Sequence, residues 1–95
     1  MGQFEVVLNL AKDQLKARCK VPKTYVASAV LHHITKGDID KANDLIINET
    51  VLNKKEIEPL FEKYPLAKFT LATKIMERLG LTSDVLIREI EEQKN

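Results

Sequence analysis

The stretch "AVLHHITKG", residues 29 to 37, sets two histidines side by side in an apolar run that stops at a glycine. Histidine carries protons near neutral pH and is the commonest protein metal ligand. His32 and His33, with the single cysteine Cys19, are therefore the residues that could build a small metal site or a nucleophile–base pair. Their spacing argues against both. Neighbouring helical side chains diverge by about 100°, so His32 and His33 do not share a face. A helical ligand pair needs its second member three or four residues away. Those neighbours are Ser28, Ala29, Thr35 and Lys36 for His32, and Ala29, Val30, Lys36 and Gly37 for His33. None is a good ligand. The expectation is one imidazole hydrogen-bonded at the edge of the core, the other in solvent, and no metal or other cofactor.

Other chemistry is equally hard to write. The three glycines form neither G-x-x-x-x-G-K nor G-x-G-x-x-G, so no phosphate-cradling loop is present. The acidic residues lack the D-x-D-x-D-G order of a calcium loop. Cys19 with a histidine carries no signature of a catalytic pair. The chain is read as a non-enzyme, with a metal or catalytic centre around His32, His33 and Cys19 as the second alternative.

Charge is the next candidate. Lys12, Lys16, Arg18, Lys20 and Lys23 against Asp13 give residues 12 to 23 a net charge of +4, while the whole chain carries only +1. Asp84, Glu89, Glu91 and Glu92 against Arg88 and Lys94 give the far end −2. The five cations are the candidate partner-binding residues, whether for an acidic protein surface or a nucleic-acid backbone. A second nucleic-acid signal is a degenerate helix-turn-helix over 73–90, "KIMERLGLTSDVLIREI" and its flank, with a Gly-Leu-Thr turn. Its second helix would offer Arg88 beside Asp84 and Glu89, which suits phosphates poorly. Nucleic acid is thus the less favoured partner.

The elements expected to position these residues are helices. Phe4, Val7, Leu8, Ala11 and Leu15 recur at helical spacing and predict a first helix from about Gln3 to Arg18. Pro22 opens and Gly37 closes a second, "PKTYVASAVLHHITK", whose apolar middle makes it central, with Val30 or Leu31 deeply buried. Asp38 caps a third, "IDKANDLIIN". Asn53 with Glu56 three residues on marks the start of a fourth, short or bent at Pro59. Pro65 and Gly80 bracket a fifth, and Thr82 or Ser83 caps a sixth.

The predicted fold is an all-α compact orthogonal bundle of five or six short helices, one domain over 1–95 with a single core. Its 44% apolar and 31% charged content fit a folded globular chain. No apolar run reaches the length of a membrane span, and no signal-peptide or myristoylation pattern is read at the start. One cysteine admits no internal disulfide, so a cytoplasmic location is expected. The functional expectation is a small protein-binding regulator or inhibitor, by analogy of genre with the small regulators of phages and mobile elements. It acts through protein–protein contacts, and a homo-oligomer is compatible with that reading. The first alternative is a nucleic-acid-binding regulator using the basic segment 12–23 or the helix-turn-helix.

Overall fold

A computed structural model of the chain describes residues 2–80. It corrects the fold class. The chain begins with a β-hairpin, β1 (Gln3–Leu10) and β2 (Asp13–Lys20), and continues with four helices, α1 (Thr24–Thr35), α2 (Ile39–Thr50), α3 (Lys54–Lys63) and α4 (Ala67–Arg78). The architecture is α+β, not an all-α bundle.

Period decides the first element. The helical stripe expected from Gln3 to Arg18 accounts for five apolar residues but leaves Val6, Leu10, Ala17 and Cys19 off the face. A period of two brings these inward and gives up only Val7, which faces solvent, and Ala11, which falls in the turn. Phe4, Val6, Leu8 and Leu10 turn inward from β1, and Leu15, Ala17 and Cys19 from β2, the last three fully buried. Gln3, Glu5, Val7 and Asn9 face solvent, with Gln14, Lys16, Arg18 and Lys20 beside them. The strands pair antiparallel without a bulge, from Gln3 opposite Lys20 to Leu10 opposite Asp13. That register leaves only Ala11 and Lys12 for the turn. Two-residue hairpin turns need positive φ, and Ala11 adopts φ +35 in the place that glycine or asparagine usually fills.

The helices follow their punctuation more closely. α1 ends at Lys36 and Gly37, the latter at φ +83, as the Pro–Gly bracket implies. Asp38 and Asn53 stand at the N-caps of α2 and α3. α3 is short and continues through Pro59. α4 falls between Pro65 and Gly80. The expected sixth helix, and the second half of the helix-turn-helix over 73–90, lie outside the described residues.

α2 and α4 carry the centre of the core. Ile46 and Ile47 of α2 and Leu71, Ala72 and Ile75 of α4 are buried where the two helices pack together, and α4 packs in turn on β1. α1 is less central than its uniform apolarity implies. It buries Val26 and Val30 and packs on α2, while Tyr25 stays 65% exposed. Val30 is fully buried, whereas Leu31 is only half-buried. α4 packs on β1 and α3 on β2, so one face of the hairpin is covered by helices and the other faces solvent.

Candidate functional site

Strand alternation turns the basic segment into a surface. Lys16, Arg18 and Lys20 occupy every second position of β2, so all three project from the solvent face in one row. Facing them across the hairpin are Val7, Glu5 and Gln3 respectively. Glu5 is the one carboxylate that the strands contribute to this face. Lys12 sits apart, in the turn. Lys23 is the exposed N-cap residue of α1 and joins Lys20 around a depression lined by Val21, Pro22, Tyr25 and Glu49. The structure therefore gathers Lys16, Arg18 and Lys20 along a strand, adds Lys23 at its end, and leaves Lys12 at the opposite end.

The row stands on a fixed backbone. In β2 the main-chain N–H and C=O of Lys16 and Arg18 point away from β1. The link between α2 and α3 meets them there. Arg18 N donates to Asn53 Oδ1 at 2.8 Å, and Asn53 Nδ2 donates to the Lys16 carbonyl at 2.9 Å. Leu52 N donates to the Arg18 carbonyl at 2.7 Å, and Val51 forms a bridge with Cys19. Asn53 thus presents its side-chain amide as a short strand would present its peptide. The same Nδ2 donates to Glu56 Oε2 at 2.6 Å, which aims the amide. The sequence signal found Asn53 as a helix start and missed this role, because its partners lie 35 and 37 residues earlier.

The turn end is tied independently. Tyr64 Oη donates to Asp13 Oδ2 at 2.6 Å, and Lys63 Nζ sits 2.8 Å from the same oxygen. These bonds, Lys63 first and Tyr64 second, hold the Asp13 carboxyl below its ordinary range. Asp13 in turn raises the pKa of Lys63 and of the Tyr64 hydroxyl. Asp13 is the only acid of the basic segment, and its charge is spent on Lys63. It does little to offset the cations on the solvent face.

Among the described residues, Cys19, His32 and His33 are not gathered into a metal centre. Cys19 is fully buried on the inner face of β2, and burial pushes its thiol up to about 11. His32 is exposed and His33 half-buried, their ring centroids 6.1 Å apart and their planes tilted by 57°. That matches the expected division between core edge and solvent, but not the hydrogen bond expected of the core-edge imidazole. His33 Nδ1 is buried with no hydrogen-bond partner among the described residues. Those residues contain no group of three His, Cys, Asp or Glu side chains placed to hold a metal ion. No described helix is long and apolar enough to cross a membrane.

Compared with known proteins, the chain matches no family model, no curated protein and no solved structure.

Proposed function

We propose that the chain is a small protein-binding regulator that docks an acidic segment of its partner on the solvent face of the hairpin and performs no chemistry of its own. The observation that carries the reading is the row Lys16, Arg18, Lys20, three cations at alternate positions of a strand whose main chain is pinned by Asn53 and Leu52. Cations held on a rigid strand lose less conformational freedom on binding than cations on a loose segment, which favours a partner that meets them in register. The lack of catalysis is supported by the state of the reactive groups. The thiol is buried and protonated, and the Asp13, Lys63 and Tyr64 groups are engaged with one another. A cytoplasmic, reducing location agrees with an unpaired buried Cys19.

Nucleic acid is the second reading. A two-stranded ribbon has the width to enter a major groove, and this one carries cations. It ranks second because the row holds three cations beside Glu5, and Tyr25 is the one aromatic side chain at its end.

The test compares the wild type with the triple charge reversal Lys16→Glu, Arg18→Glu and Lys20→Glu. These side chains point to solvent, and Asn53 holds only their main chain, so the variant keeps its fold by circular dichroism. A single stoichiometric protein captured from the native host after nuclease treatment by the wild type, and lost by the variant, is the expected result. Equal capture by the variant overturns the reading. So does duplex or single-stranded oligonucleotide binding far tighter than the roughly 10⁻⁴–10⁻⁶ M of unspecific association at physiological salt.

A further inference from the structure

The two edges of the hairpin are treated differently. On β2 the outward main-chain groups at Lys16 and Arg18 are taken by Asn53 and Leu52. On β1 the corresponding groups belong to Gln3, Glu5, Val7 and Asn9, which stand opposite Lys20, Arg18, Lys16 and Gln14 and share their outward parity. None of these N–H and C=O groups has a partner among the described residues. Native proteins guard such an edge with lysine, proline, a bulge or a short strand. β1 is eight residues long, "QFEVVLNL", with a continuous register, no proline and no cation. Its inner stripe is also incompletely covered. Phe4, Val6 and Leu10 remain half-buried, while Leu15, Ala17 and Cys19 on the neighbouring strand are fully buried.

We propose that the occupant of this edge is a second copy of the same chain, added antiparallel about a two-fold axis through Val6. The proposal stands on β1 alone and does not rest on the reading of the cationic row. The strand is self-complementary in that one register. With the axis at Val6, Gln3 pairs with Asn9 of the second copy and Glu5 with Val7. Every outward N–H and C=O of the four residues then finds a partner. The two Val6 side chains meet as a close non-hydrogen-bonded pair, and Phe4 meets Leu8, so the half-buried stripe is extended across the axis. An axis at Glu5 would place two carboxylates opposite each other and leave Asn9 unpaired. An axis at Val7 would carry Gln3 past the strand end to Ala11. The assembly also closes at two copies. The far edges of the resulting four-stranded sheet are the β2 edges already engaged at Lys16 and Arg18, so no open filament follows.

The experiment is sedimentation equilibrium across a concentration series. The expected result is a reversible monomer–dimer equilibrium whose dissociation constant rises at least about tenfold in Val7→Pro. That substitution removes an N–H pointing off the free edge and breaks no bond of the hairpin. Should Val7→Pro fail to fold, Val7→Glu sets a carboxylate beside Lys16 of its own hairpin but directly opposite Glu5 of the second copy, and must weaken the dimer likewise. The register is read by oxidising an equimolar mixture of Gln3→Cys and Asn9→Cys. A hydrogen-bonded pair has Cα atoms about 5.5 Å apart, within disulfide reach, so the mixed dimer crosslinks and Asn9→Cys alone does not. A monomer at all concentrations overturns the proposal, as does a dimer indifferent to Val7→Glu. A monomer whose Glu5 and Val7 amides resist hydrogen exchange would assign the edge to the chain's own residues 81–95, and would overturn it too.

Discussion

Replacing Asn53 distinguishes two physical roles that the sequence does not separate. As an ordinary helix cap, asparagine exchanges with aspartate at almost no cost, and alanine costs about 0.5–2 kcal/mol. As the clamp on β2, it needs both halves of its amide. Its Oδ1 accepts from Arg18 N, and its Nδ2 donates to the Lys16 carbonyl and to Glu56. Asn53→Ala leaves one main-chain donor and one acceptor of β2 without a partner. A buried unpaired group costs about 1–3 kcal/mol, and this site is only part-buried, so water recovers some of the loss. The expected destabilisation is roughly 2–3 kcal/mol, or about 10–20 °C in melting temperature for a chain of this size. Asn53→Asp keeps the acceptor but sets a carboxylate against the Lys16 carbonyl and the Glu56 carboxylate. It should cost at least as much as alanine. Urea and thermal denaturation followed by circular dichroism give the ranking, and hydrogen exchange at the Arg18 amide locates the damage. An Asn53→Asp variant as stable as the wild type would refute the clamp and return Asn53 to the role of a cap.

Ala11→Gly should raise stability by about 0.5–1 kcal/mol in urea denaturation, because φ +35 suits glycine and strains alanine, and glycine's looser unfolded chain offsets part of the relief. Asp13 gives a pH signature. Its folded pKa lies below the ordinary 3.8, so its contribution is complete above that value and disappears as pH falls through the lower folded one. The melting temperature of Asp13→Asn should therefore lie below that of the wild type near neutrality and converge with it in acid. Cys19, buried with its thiol raised to about 11, should resist alkylation at pH 8 in the native protein and react at once in denaturant, as mass spectrometry will report.

The helical half of the fold is legible in the sequence because its signals are local. Pro22 and Gly37, Asp38, Asn53, and Pro65 and Gly80 each mark a boundary within a residue or two of where α1 to α4 begin or end. The hairpin is hidden for two reasons. Phe4, Val7, Leu8, Ala11 and Leu15 satisfy a helical stripe by coincidence, and the turn is Ala-Lys where Asn-Gly would have announced it. The interleaved sets Leu15, Ala17, Cys19 and Lys16, Arg18, Lys20 do spell a strand, but only if the period is counted across the cations. The five cations themselves are legible as a segment. Their division into a row, a flank at Lys23 and an outlier at Lys12 depends on that period. The clamp at Asn53 rests on contacts more than thirty residues apart, which no local pattern encodes.

The most direct measurement on the cationic row is photocrosslinking in the native host from a benzoylphenylalanine placed at Gln14. That position lies on the solvent face of β2, two residues before Lys16 and away from the free edge of β1. The expected result is one discrete adduct with a second protein, whose crosslinked peptide is rich in Asp or Glu, and its loss when Lys16, Arg18 and Lys20 are reversed to Glu. Adducts formed only with nucleic acid, or a protein adduct that survives the reversal while a probe at exposed Lys41 on α2 captures the same partner as well, would contradict it.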